Sequence, residues 1–351
     1  MTATEAGLPG LPAAPIRRWI GRNVPDADLT GPWAPEVISG GLSNITCRLR
    51  LPSGNLILRR PPLGPLLPRA HDVAREYRVL RALAPTAVPV PEPLGLCTDL
   101  DVIGAPFYVM PEVSGDVLRT AQATAELSLS ERAALGRELA SVLAALHALD
   151  PDAIGLGDYG RREGYCRRQI VMWGAQWQRS CRRELPEMDL LLAALAERVP
   201  QHGRSSIVHG DYRLDNTIVD RSAGPHITAV LDWELSTLGD PLADLGLSMT
   251  YWHDIGDDER GCIPVAAGVT AWPGFPTARG FAASYAALSG ASLSNMEFYL
   301  ALGAMKLAVI LEGVHARYLL GRTVGDGYDT AGAAVPVLIA RGLRHLTTAF
   351  T

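Results

Sequence analysis

Residues 209–216, HGDYRLDN, hold a histidine, two aspartates and an asparagine within eight positions. Carboxylates this close repel, so the stretch requires a cation, a metal or open water. Just downstream, TIVD and HITAVL read as two short strands around a turn centred on Gly224. A hairpin about that glycine sets Asn216 opposite Asp232, with Asp211 in the loop that feeds the first strand. Three oxygen-bearing side chains at one end of a hairpin suit a hard divalent cation. Mg²⁺ takes one or two protein groups and completes its shell with phosphates and water. Asn216 and Asp232 are therefore assigned to the metal, which leaves Asp211 to accept a proton. Each of these residues alone is an ordinary turn former. Together, Asp-x-x-x-x-Asn followed by a strand-end Asp is the spacing of kinase machinery.

A kinase makes demands upstream. Its phosphates need a glycine-rich loop between strands, and ISGGLSN supplies Gly40, Gly41 and Ser43. A cation must follow on the next strand; NLILRR offers Arg59, in phase with Ile57, or its neighbour Arg60. A helical carboxylate should anchor that cation. Glu76 stands on the apolar face of AHDVAREYRVLRAL, where an unpaired charge is costly, and Arg59 is its expected partner. The competing partners are Arg75 and Arg78 of its own helix. In VMPEVSG, Pro111 offers a carbonyl and Val113 an N–H to an adenine, and Gly115 lets the chain turn onward.

These residues need scaffolding, and the chain divides accordingly. Residues 1–34, rich in Pro, Gly and Ala, read as an N-terminal arm; 35–110 as a strand-rich lobe with one helix; 111–115 as a hinge; 116–351 as a larger helical lobe. The predicted class is α+β. LSLSERAALGRELASVLAALHALD opens on a capping box, Ser128 with Glu131, and carries Leu135, Leu139, Val142, Leu146 and Leu149 on one stripe. In GDPLADL, Asp240 caps a helix with Pro241 at its first position. His147 and Trp233 read as core or support residues. YLALGAMKLAVILEGV, interrupted by Lys306, reads as a buried helix too short to span a bilayer.

The 351 residues carry a net charge of −5, with 48% hydrophobic and 20% charged residues, which argues against a nucleic-acid partner. Five scattered cysteines without CxxC spacing read as reduced thiols, and the N-terminus lacks a signal peptide's basic start and apolar run. A cytoplasmic protein with no membrane partner is expected.

VHGDYRLDN together with VLDWELSTLGDPLADLG resembles the aminoglycoside-phosphotransferase-like kinases. Within them, LILRRPPLGPLLPRAHDVAREYRVLRAL and RRQIVMWGAQWQ resemble the kinase domain joined to acyl-CoA dehydrogenases in family members 10 and 11. The resemblance implies a bilobal protein-kinase-like fold, ATP as co-substrate and Mg²⁺. It also implies Asp211 as base, Asn216 and Asp232 as metal ligands, and His209 as a support of the loop. Two departures stand out: arginine occupies the place of the phosphate-binding lysine of many members, and the dehydrogenase portion is absent.

Nothing between 232 and 250 resembles a protein kinase's activation segment, so a small-molecule acceptor is expected, with a link to acyl-CoA metabolism. The segment 161–183 holds seven arginines, among them Arg167 and Arg168, against Glu163 alone, interleaved with Tyr165, Trp173 and Trp177. A basic, aromatic helix favours an anionic or amphiphilic acceptor such as a hydroxyacyl-CoA, although the same pattern describes a solvated arginine face with tryptophans turned inward. YWHDIGDDE pulls towards a cationic acceptor. Three functions stay open: a kinase of a small, CoA-linked alcohol, an aminoglycoside-type kinase, and a nucleotide-binding pseudokinase that regulates a partner.

Overall fold

The structure, a computed structural model, describes residues 8–31, 35–39, 44–63, 71–201, 203–321, 328–348 and 350. The chain folds as two compact units, one of residues 1–114 with 229–234, the other of 115–228 with 235–351. The segment 229–234 thus groups with the first unit, although the sequence reading placed it in the helical lobe; Val230 N–H donates to Pro89 O at 2.8 Å.

The first unit opens with α1 (Ala13–Asn23) and continues with β1 (Pro35–Ser39), β2 (Ile45–Leu49), β3 (Leu56–Arg60), α2 (Val73–Leu83), β4 (Gly95–Cys97), α3 (Leu100–Ile103) and β5 (Phe107–Pro111). Among the described residues five strands form one antiparallel sheet in the order β1-β2-β3-β5-β4. Within α1 the sequence expectation of a loose arm is corrected. Ile16 and Ile20, four apart, are buried with Cys47, Leu58, Phe107 and Val109 of the sheet, and Trp19 meets Phe107 edge-on at 4.8 Å. The helical spacing was present in the sequence, but the flanking prolines and glycines masked it. Pro12 sits at the N-cap, where a missing N–H costs nothing.

The second unit contains α4 (Ala121–Ala125), α5 (Leu129–Ala148), α6 (Tyr165–Ser180), α7 (Glu187–Glu197), β6 (Ser206–Val208), β7 (Thr217–Asp220), β8 (His226–Val230, whose last two residues group with the first unit), β9 (Thr237–Gly239), α8 (Pro241–Tyr251), α9 (Asp258–Gly261), α10 (Ala278–Ser289), α11 (Met296–Leu319) and α12 (Ala331–His345). The Ser128–Glu131 capping box opens α5, and Asp240 caps α8 with Pro241 at its first turn. β6 pairs with β9, and β7 with β8. The β7–β8 turn passes through Gly224 at φ +98°. At Gly115, φ is +130° and an added Cβ would lie 2.7 Å from Val219 O, so only glycine fits the crossing into this unit.

The buried helix expected around Lys306 is α11, and it is longer than the sequence suggested. At 24 residues its length and apolarity suffice to cross a membrane, yet 78% of its apolar window is buried inside the protein. Its side chains from Phe298 to Val309 form the centre of the helical core.

Candidate active site

The first unit brings together a charge cluster from three separate elements. Arg59 lies on β3 opposite Thr46, and its Nε is 3.1 Å from Glu76 Oε2 on α2. Its Nη2 reaches Asp232 Oδ1 at 3.3 Å. Glu76 is 2% exposed, so its charge depends on these partners. Tyr108 donates its hydroxyl to Glu76 Oε2 at 3.0 Å, and Asn44 donates its amide to Oε1. Burial alone would lower the Arg59 pKa. Tyr108, Glu76, Asp232 and Glu234 outweigh it and hold the guanidinium above its ordinary value. Arg60 does not share this cluster: it is buried, with Nε donating to Pro61 O at 3.0 Å and Nη1 to Gly10 O.

Arg59→Ala leaves Glu76 buried without its countercharge, so we expect a stability loss of about 3–5 kcal/mol. Arg59→Ala with Glu76→Gln should cost little more than Arg59→Ala alone, because the two residues share one interaction. Chemical denaturation of the four proteins checks this, and strictly additive losses would show that no such pair carries the stability.

Asp232 follows β8 by two residues and adopts φ +65°, the left-handed region where Asp and Asn are the tolerated non-glycine residues. Pro111 ends β5 opposite Leu56, and Val113 is half-buried. Between them Glu112 donates its N–H to Asn55 O at 3.0 Å, while its carboxylate takes Arg48 at 2.6 Å and Asn55 at 2.7 Å. Gly40, Gly41 and Ser43 lie outside the described residues.

In the second unit the loop 209–216 is held by its own side chains and by α8. Asp244, in the first turn of α8, accepts the N–H of His209 at 2.6 Å and of Gly210 at 2.9 Å. His147 Nε2 lies 3.3 Å from the same carboxylate, with Nδ1 2.8 Å from Tyr285 Oη. Burial would raise the Asp244 pKa, but its hydrogen bonds with His147 and with the His209 N–H hold it below the ordinary carboxylate value. Gly210 has φ +84°, and a Cβ there would come within 2.8 Å of Leu235 O. His209 Nδ1 accepts the Asp211 N–H at 3.2 Å, which ties the ring to the loop.

Asp211 and Asn216 meet directly. Asn216 Nδ2 donates to Asp211 O and to Asp211 Oδ2, both at 2.9 Å. Arg213 adds Nε at 3.3 Å from the same Oδ2 and pairs with Asp215, its guanidinium over the Tyr251 ring at 5.1 Å. Burial opposes the Arg213 charge, but Asp211 and Asp215 outweigh it and raise its pKa. With its Nδ2 taken by Asp211, Asn216 has Oδ1 left as the atom for a hard cation. Taken singly, the amide oxygen of Asn216 and the carboxylate oxygens of Asp232 are hard donors of the kind Mg²⁺ takes. Among the described residues no group of three or more His, Cys, Asp or Glu side chains is placed to hold a metal ion.

The arginine-rich segment separates into parts. Tyr165 and Trp173 line a cavity beside Gly210, whereas Trp177 is buried in the core. Arg167 is exposed, and Arg168 donates to the carbonyls of Glu163 and Arg161. Arg162 pairs with Asp152 and Arg183 with Glu312, so part of the segment's positive charge is already matched.

The sequence reading missed Asp244, Arg213, Tyr108, Asn44 and Lys306. Arg213 carried a legible signal, a cation two residues after Asp211. The others come together only through contacts 32 to 97 residues apart in the chain.

An antiparallel five-stranded unit followed by a helical one, with the 209–216 loop braced by a buried aspartate, defines a phosphotransferase of the protein-kinase-like fold. The model of the phosphotransferase enzyme family, APH, matches residues 35–281, and the chain belongs to that family. Acyl-CoA dehydrogenase family member 11 of Gallus gallus is 36% identical over 342 residues, covering 96% of this chain and 41% of its own length. The chain thus spans less than half of that relative. The solved structure of a proposed aminoglycoside phosphotransferase from Ralstonia eutropha JMP134 superposes with a TM-score of 0.81 at 35% identity, covering 96% of this chain and 99% of that one. An aminoglycoside phosphotransferase solved as a ternary complex with AMP-PNP and hygromycin B shares the fold, with a TM-score of 0.60 at 18% identity, covering 97% and 100%.

Proposed function

We propose that this chain transfers the γ-phosphate of ATP, with Mg²⁺, to a hydroxyl of a small molecule, and that the acceptor is a hydroxyacyl-CoA. The observation that carries the reading is the bonding of Asn216 to Asp211, because it orients a carboxylate within a loop of kinase spacing. Asp211 takes the proton of the acceptor hydroxyl. Asn216 and Asp232 hold Mg²⁺, which when bound neutralises charge on the phosphates. Arg59, anchored by Glu76, faces the phosphates, with Gly40, Gly41 and Ser43 cradling them and Pro111 and Val113 flanking the adenine. AMP-PNP in the related ternary complex supports an adenine nucleotide. The five free cysteines are in keeping with a cytoplasmic protein.

The acyl-CoA assignment draws on the relatives joined to acyl-CoA dehydrogenases. A polycationic acceptor is disfavoured because carboxylates of the acidic segment after Tyr251 are already matched: Asp257 pairs with Arg341 at 2.9 Å, Glu259 with Arg344, and Asp254 accepts the Ala278 N–H at 2.8 Å. A pseudokinase would have no need of an oriented base. ATP consumption measured against hydroxyacyl-CoAs, aminoglycosides and simple alcohols tests the reading. Turnover is expected with the hydroxyacyl-CoAs. Turnover with an aminoglycoside alone would overturn the acceptor, and none with any hydroxyl compound would overturn the kinase.

A further inference from the structure

α8 meets the 209–216 loop at both of its ends. Near its start, Asp244 accepts the N–H groups of His209 and Gly210, and from α11 Lys306 Nζ donates to Gly210 O at 2.6 Å. These bonds fix the backbone ahead of Asp211 and leave its carboxylate to other partners. The last residue of α8 is Tyr251, to which the foregoing chemistry gives no part. It is 5% exposed, and its hydroxyl hydrogen-bonds to the Asp211 side chain. Burial above all, with the Asp211 charge, pushes the phenol well above its ordinary pKa, so it keeps its proton and donates.

This tyrosine is itself held. The Arg213 guanidinium lies over its ring at 5.1 Å, and Arg213 is tied to Asp215. Arg260, fully buried, donates from Nη2 to Tyr251 O at 2.7 Å and to Val265 O at 2.6 Å, and from Nη1 to Ile263 O at 3.0 Å. An arginine devoted to three backbone carbonyls fixes the point at which α8 ends, and with it the place of Tyr251.

An ionised carboxylate has about four lone-pair sites. Asn216 Nδ2 at 2.9 Å and Arg213 Nε at 3.3 Å both meet Asp211 Oδ2, and the Tyr251 hydroxyl is a third donor. Three donors leave about one direction open, which is what a base needs to meet one attacking hydroxyl. Without the phenol the carboxylate is freer to turn about its Cβ–Cγ bond, a broad torsion. A misplacement of about 1 Å can cost about a hundredfold in rate.

We propose that Tyr251 is a positioning residue: it holds the Asp211 carboxylate in the orientation that faces the acceptor hydroxyl, while Arg213 and Arg260 hold Tyr251. The inference rests on the kinase reading and deepens it by adding a group that acts through the base.

Tyr251→Phe keeps the ring beneath Arg213 and removes only the hydroxyl. Turnover with the hydroxyacyl-CoA that wild type uses fastest should fall at least about tenfold, as for one lost hydrogen bond to a charged group. KM for ATP and for that acceptor should change less than about twofold. In the Asp211→Asn background the same substitution should alter the residual rate by less than about twofold, because both act through one carboxylate. A tyrosine that only supported the fold would lower both rates by the same factor. A second measurement needs no acceptor. In protein labelled with ¹³C at the aspartate carboxyls, the Asp211 resonance is identified by its absence from Asp211→Asn protein, and it should move in Tyr251→Phe protein. Undiminished turnover in Tyr251→Phe, equal losses in the two backgrounds, or an unmoved Asp211 resonance overturns the proposal. Failure of the kinase reading is separate: wild type then consumes ATP with no hydroxyl compound, and the Asp211 resonance still decides whether Tyr251 holds that carboxylate.

Discussion

Asp211→Asn is expected to bind ATP nearly as wild type does and to turn over on the order of a hundredfold or more slowly. The substitution keeps the shape of the side chain and its place beside Asn216 and Arg213, but an amide cannot take the proton of an attacking hydroxyl. The loop should survive, because its backbone is held from elsewhere: Asp244 binds the N–H groups of His209 and Gly210, and Lys306 binds the Gly210 carbonyl. Asp211 contributes to neither grip. Single-turnover kinetics with equilibrium ATP binding separates the two effects. Parallel losses in binding and turnover would instead make Asp211 a metal ligand or a structural residue.

Replacing Asp232 should act on the other half of the chemistry. Asp232→Ala is expected to abolish turnover and remove the Mg²⁺-dependent part of ATP affinity, because the charged oxygen proposed to hold the metal is gone. The fold should tolerate the loss of charge, since Arg59 retains Glu76 at 3.1 Å. The backbone is a separate matter. Asp232 has φ +65°, and alanine in the left-handed region costs about 1–2 kcal/mol. Asp232→Asn tolerates that conformation and isolates the charge. Both variants should lose the difference in ATP affinity measured with and without Mg²⁺. A folded Asp232→Asn protein that keeps this difference would sink the metal assignment.

The sequence by itself determined the elements whose signals are local. The Ser128–Glu131 box, the Asp240–Pro241 helix start and the turn at Gly224 each depend on a few consecutive residues, and the structure contains all three. The β-rich first unit and helical second unit were legible for the same reason, as alternation and helical periodicity are properties of short windows. Compositional shorthand did less well. Pro and Gly around residues 9–15 suggested an arm, while the spacing of Ile16 and Ile20 buried a helix against the sheet.

Only the tertiary structure decided which charges meet. Glu76 had Arg59 as its expected partner, with Arg75 and Arg78 as rivals and Arg60 as the other candidate for the strand cation; β3 pairing with β2 and β5 presents Arg59 to Glu76 and sends Arg60 to Pro61 and Gly10. Asp244 read as part of a capped helix, but the start of α8 brings its carboxylate to the backbone of His209 and Gly210. Lys306 read as a blemish in an apolar helix, and the fold carries it 96 residues back along the chain to Gly210. The physical reason is common to these cases. A buried charge shows in sequence only as a polar residue on an apolar face, whereas its partner is chosen by which elements pack against that face. Packing depends on the shape of the whole core, and no local window contains it.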